Sequence, residues 1–198
     1  MHIRRLSIFC LLILSLWGCK TPPPPPEFVN TTANDQKLIE LVKWELRGRM
    51  AFKSADESFS ANMRWQQNGE DLSFKLTNVV GVTLLDMQVV DGRTVMTIDG
   101  EEYTGDEPEA LIYQFSGWQI PIRAMQRWVK GLALDNEFST RDDKGLLEQI
   151  EVLGQRGTWL VDYQQFTQSN SIVLPRQLLI TQTPSIEIKL KINRWETQ

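Results

Sequence analysis

The sequence predicts a mainly β protein: a single domain whose antiparallel strands, about ten or eleven of them, curl into a barrel or half-barrel. A lid of two or three short α-helices covers it. Three observations carry this. From Trp44 onward, apolar residues alternate with polar ones over long runs. Asn68-Gly69, Asp91-Gly92 and Asp99-Gly100 punctuate the first half of that pattern, and such dipeptides suit hairpin turns whose central positions need φ > 0. The period turns helical in an insert between Asp106 and Gly131, after which alternation resumes.

The chain begins with Arg4 and Arg5, an apolar run from Leu6 to Trp17, then Gly18 and Cys19. Twelve helical residues cover roughly 18 Å, too little for a hydrocarbon core of about 30 Å. A charged start, a short apolar middle and a small residue before the cut describe a secretory signal peptide. With a cysteine at the cut it resembles a bacterial lipoprotein signal, so residues 1–18 are expected to be removed and Cys19 to be lipidated. Residues 19–33 then form a tether. Pro22 to Pro26 favour polyproline II, a stiff spacer of roughly 15 Å. Residues 34–198 form the domain.

Composition narrows the chemistry. The whole chain carries a net charge of −4, and loss of Arg4 and Arg5 makes the mature chain more acidic still, which gives no basic patch for nucleic acid. His2 and Cys10 leave with the signal, so the mature chain has no histidine and only Cys19 as a thiol. Histidine-based triads, histidine or thiolate metal sites and disulfides are thereby excluded. No cofactor is expected. Carboxylate chemistry has Glu101-Glu102, Asp106-Glu107 and Asp142-Asp143 to draw on. Neighbours on a strand point to opposite faces, and Asp106 reads as a helix cap, so the chain is not expected to be an enzyme.

The domain elements follow in order. Asn34 or Asp35 reads as the N-cap of a short helix bearing Leu38, Ile39, Leu41 and Val42. Trp44, Leu46, Gly48, Met50 and Phe52 alternate with mostly charged residues, and Phe59, Ala61, Met63 and Trp65 repeat the pattern. After Asn68-Gly69 come Leu72, Phe74 and Leu76. In the insert, Asp106 and Glu109 read as a capping box, and Gly117 as a stop. Pro121 opens a second helix with Ile122, Met125, Trp128 and Val129 on one side, ended by Gly131. Residues 132–145 read as polar loop. Strands resume near 146–153, 158–166, 176–183 and 186–195, the last with Ile186, Ile188, Leu190 and Ile192 inward.

Several segments of this layout resemble the LolB family of outer-membrane lipoproteins. They are Trp44-Glu45-Leu46-Arg47-Gly48-Arg49, Asn78-Val79-Val80-Gly81, Gly117-Trp118-Gln119-Ile120-Pro121-Ile122, Trp128-Val129-Lys130-Gly131, Trp159-Leu160-Val161-Asp162-Tyr163, Leu174-Pro175 and the run closing at Trp195. The resemblance implies an unclosed antiparallel β-barrel with a helical lid. It also implies a function: accepting lipoproteins from a periplasmic, LolA-like carrier and placing them in the outer membrane. One departure is that Val79 and Val80 stand where the family usually has Pro-Leu.

What the resemblance implies for sites is specific. Lys20, after the lipidated Cys19, is not the aspartate of inner-membrane retention, so an outer-membrane anchor facing the periplasm is expected. Val79, Val80 and Val82 become a loop that touches membrane lipid, although by pattern alone the strand could continue and bury them. Met50, Phe52, Met63, Trp65, Phe74, Leu76, Phe115, Trp128, Ile188 and Leu190 become candidates for an acyl-chain cavity. The pattern by itself describes a solid core equally well. The expected partners are the carrier, the acyl chains of client lipoproteins and outer-membrane lipid, with the protein itself a monomer. The other function class is a structural or adaptor envelope lipoprotein with a filled core.

Overall fold

The computed structural model describes residue 24 and residues 29–134, 137–154, 157–183 and 186–198. The expected signal peptide, the expected lipidation site Cys19 and the proline run apart from Pro24 lie outside the described residues. Within them, eleven antiparallel strands form one sheet in the order β6-β5-β4-β3-β2-β1-β11-β10-β9-β8-β7. The strands are β1 (Lys43–Lys53), β2 (Ser58–Asn68), β3 (Asp71–Thr77), β4 (Thr83–Val90), β5 (Arg93–Ile98), β6 (Glu101–Gly105), β7 (Phe138–Arg141), β8 (Leu147–Gly154), β9 (Gly157–Ser169), β10 (Ile172–Gln182) and β11 (Ile186–Thr197). Strands β6 and β7 are the free edges, so the barrel is unclosed.

Alternation does what the sequence implies. In β1 every second residue from Trp44 to Phe52 is buried, and β2, β3 and β11 repeat this. These side chains form one core on the concave face. At Gly48 the register against β11 shifts by a residue. A Cβ there would overlap the Lys191 carbonyl oxygen, so glycine lets β11 approach and the sheet bend.

The insert closes the concave side. Helix α2 (Pro108–Ser116) packs beside β6, and α3 (Ile122–Trp128) crosses towards the other edge. Trp118 packs tilted with its ring 4.1 Å from that of Phe52 on β1, while Trp128 lies 6.2 Å from Trp159 on β9. The Tyr163 hydroxyl donates to the Trp128 carbonyl at 2.8 Å. A short insert thus reaches from one edge to the far half of the sheet, which it can do only because the sheet is curled.

Hairpin parity gives the half-barrel two ends. The β2–β3, β4–β5, β7–β8 and β9–β10 turns lie at one end, and α1 (Thr31–Glu40) caps it. There Lys37 Nζ donates to Ser171 O, Asn34 exchanges two hydrogen bonds with the Val173 backbone, and Val29 N donates to Lys144 O. The β1–β2, β3–β4, β5–β6, β8–β9 and β10–β11 connections lie at the opposite end, called here the loop end.

Four local expectations are corrected. Helix α1 begins earlier, with Asn30 Oδ1 accepting from Ala33 N; Asn34 is recruited by β10 instead. Helix α2 has Glu107 at its N-cap and no side-chain cap bond, because Glu109 accepts from Arg123 N and ties α2 to α3. The polar stretch 132–145 contains β7, a four-residue edge strand fixed by pairing with β8. Strand β10 starts at Ile172, before Pro175, which it accommodates beside a register irregularity.

Candidate functional site

Two regions of the domain stand out physically, one at each end of the half-barrel. At the α1 end, a cavity of about 700 Å³ opens between the strand ends, α1 and α3. Its apolar wall includes Leu41, Val42, Trp44, Leu72, Val89, Pro108 and Leu132; Arg123, Gln126, Arg127 and Lys130 edge it from the lid. A second hollow of about 320 Å³ shares Trp44, Gln67, Leu72 and Val89 with it. Lys130 is almost fully buried, and its Nζ donates to Leu38 O at 2.8 Å and Leu41 O at 3.0 Å. Burial, with the positive charge of Arg127 second, pulls its pKa down to about 8. Those carbonyls sit at the C-terminus of α1, where a cation is favoured.

The cavity wall continues into the core. The Trp44 ring packs 5.8 Å from Trp65, and Trp65 meets Phe74 edge-on at 5.2 Å. Nine of the ten candidate cavity residues, Met50, Phe52, Met63, Trp65, Phe74, Leu76, Trp128, Ile188 and Leu190, are buried in that same core. None of the nine lines the 700 Å³ cavity. Phe115 lies apart: it is 40% exposed, with its ring 4.0 Å from Tyr103. Sequence reasoning missed the cavity residues Leu41, Arg127, Lys130 and Leu132, which come together only where α1 meets α3.

At the loop end, β3 stops at Thr77 and β4 starts at Thr83, so the intervening valines are not a continued strand. Val79, Val80 and Val82 are 76%, 80% and 58% exposed. Asn78 organises the loop. Its Oδ1 accepts from Val80 N at 3.0 Å and Val82 N at 2.9 Å, its N donates to Val82 O, and its O accepts from Gly81 N. Gly81 sits at φ +90°, which a β-branched residue would resist. Three apolar side chains are held out on a stiff turn. Among the described residues no cluster of ionisable side chains is arranged to hold a metal.

The fold has relatives. A LolA-superfamily protein from Nitrosomonas europaea superposes with a TM-score of 0.54 at 7% identity, covering 86% of this chain and 94% of that one. An open β half-barrel closed by a helical insert, with an apolar interior, is therefore the LolA-type fold. The family model for "Outer membrane lipoprotein LolB" matches residues 42–195. The "Outer-membrane lipoprotein LolB" of Aeromonas hydrophila subsp. hydrophila is 33% identical over 98% of this chain and 96% of its own. That of Aeromonas salmonicida is also 33% identical, over 98% and 97%. This chain belongs to the LolB family of outer membrane lipoproteins.

Proposed function

We propose that this protein is a receptor that takes lipoproteins from a periplasmic, LolA-like carrier and inserts them into the outer membrane to which Cys19 anchors it. The observation that carries the reading is the unbroken apolar path from the cavity to the interior: Trp44 lines the cavity, Trp65 packs on Trp44, and Phe74 packs on Trp65. Acyl chains enter at the α1 end and displace the lid from the concave face, so that the ten candidate residues become the lining as the insert moves. In the closed form nine of them are core, and Phe115 lies outside it. The polar links of the lid include Lys130 to α1, Tyr163 to Trp128 O and Trp128 Nε1 to Glu137, and lid movement would have to break them.

The transfer needs no covalent step or cofactor. Cargo moves from carrier to receptor if the receptor binds acyl chains more tightly, about 1.4 kcal/mol for each tenfold. Val79, Val80 and Val82 touch the bilayer and orient release, and the protein acts as a monomer. Depletion in the living cell tests this reading. Other outer-membrane lipoproteins are expected to accumulate before the outer membrane; an unchanged distribution would overturn it.

A further inference from the structure

Leu153 is the most exposed large apolar side chain among the described residues, at 84%, and Phe138 is 67% exposed. Leu153 lies next to the last residue of β8, and Phe138 opens the edge strand β7. Phe138 pairs with Glu151, so Leu153 is its diagonal neighbour on the same outer face, about 7–8 Å away. Ile150, one residue out of phase, is fully buried, which confirms that this face points away from the core. Parity places the β8–β9 connection at the loop end, the end that carries Val79, Val80 and Val82, but on the other half of the open sheet.

We propose that Leu153, with Phe138 behind it, is a second membrane contact, so that the domain stands on its loop end upon two apolar prongs. This rests on the reading of the valine loop as a membrane contact. The occupant is the bilayer carrying the anchor. The chain from Cys19 to Val29 spans at most about 33–36 Å when extended. Strand β1 runs 11 residues, which at a barrel tilt of roughly 35–45° separates the two ends by about 25 Å. A stretched tether therefore brings the bilayer within reach of the loop end, even though the chain enters the domain at the α1 end, where Val29 meets Lys144. Leu153 lies nearer the tip than Phe138 and enters more deeply, with the phenyl ring and Glu151 left at headgroup level. A single prong fixes a point and leaves the domain free to tilt. Two prongs on opposite halves of the sheet fix the direction in which the half-barrel faces.

The test uses the lipidated protein in vesicles of phosphatidylethanolamine and phosphatidylglycerol. Leu153→Cys, Val80→Cys and Asp143→Cys are each labelled with an environment-sensitive fluorophore, the last as a control in the β7–β8 turn at the α1 end. All three positions are exposed, so the core is untouched. Expected is a blue shift at 153 and 80, with loss of emission when the lipids carry acyl-chain nitroxides, and neither at 143. Quenching at 80 without 153 overturns the second prong and leaves the valine reading standing. Quenching at 153 without 80, or at neither, overturns the valine reading and the two-pronged stance together. Quenching at 143 overturns the stance by reversing it. A blue shift at 153 that grows with protein concentration in the absence of vesicles makes the occupant another copy, and overturns the proposal.

Discussion

Lys130 reaches from the end of the lid into the C-terminal turn of α1, its ammonium donating to the Leu38 carbonyl at 2.8 Å. The bond fastens the lid to α1. It also places a titratable group in a largely buried site at the edge of the cavity.

A pH dependence follows from that group. Its pKa of about 8 lies below the ordinary lysine value of 10.5. Between those values the unfolded chain holds a proton that the folded chain has lost, so stability rises with pH through this window. Urea unfolding at pH 9.5 is expected to show about 1–2 kcal/mol more stability from this group than at pH 7. Lys130→Met is expected to remove that rise. Tyr163, whose buried hydroxyl titrates well above its ordinary 10.0, opposes the trend only above about pH 10, where an unfolded tyrosine ionises.

Trp128 is buried to 1% exposure and its Nε1 donates to the Glu137 carboxylate. Trp128→Ala is expected to cost about 3–5 kcal/mol, read as a lower denaturation midpoint. Trp128→Phe keeps most of the packing and loses the hydrogen bond, for a loss near 1–3 kcal/mol. A midpoint for the alanine variant close to that of the native protein would show that the indole is not packed as described.

Gly48 gives a sharper structural test. Because a Cβ would strike the Lys191 carbonyl, Gly48→Ala must part β1 from β11 at the middle of the sheet. A loss of about 1–3 kcal/mol or more is expected, whereas Gly100→Ala, in an open turn with φ +84°, is expected to cost only about 1 kcal/mol.

The tether has a length requirement. On the proposed function, the chain enters the domain at the end opposite the valine loop, where Val29 N donates to Lys144 O, so a Cys19 anchor and Val80 meet one bilayer only if residues 19–28 stretch along the barrel. A flexible ten-residue chain averages roughly 16–19 Å, short of the separation of about 25 Å between the ends. Deleting Pro22 to Pro26 is expected to leave the protein anchored and able to take cargo, but slow to deliver it. Normal delivery by the shortened protein would show that the loop end need not reach the anchoring membrane.

Much of this was legible in the sequence because a period of two fixes both the element and its buried face. Trp44 through Phe52 and Ile186 through Ile192 are inward as their alternation requires. What escaped depended on distant partners. Phe138 to Arg141 look like polar loop until β8 supplies their hydrogen bonds. Asn34 looks like a cap until the Val173 backbone claims its amide. The 700 Å³ cavity exists only because α1 and α3 meet over the strand ends, and no local pattern records that meeting. Whether Met63 or Phe74 lines a cavity or fills a core was never in the alternation, since both outcomes need the same apolar face.

On the proposed function, taking up cargo and giving it to the membrane are separate acts performed at opposite ends of the half-barrel. The most direct measurement is a reconstituted transfer with Val80→Glu, following an acylated client first from carrier to receptor and then from receptor to liposomes. Val80 is 80% exposed, so the domain is expected to fold and to take up the client at the native rate. A charge facing hydrocarbon costs up to about 2.5–3.5 kcal/mol at the bilayer centre and less near its surface, so delivery is expected to fall by about tenfold or more, while Val80→Leu keeps it. Native delivery by the glutamate variant would contradict a membrane role for the loop, and failed uptake by the folded variant would contradict the separation of the two ends.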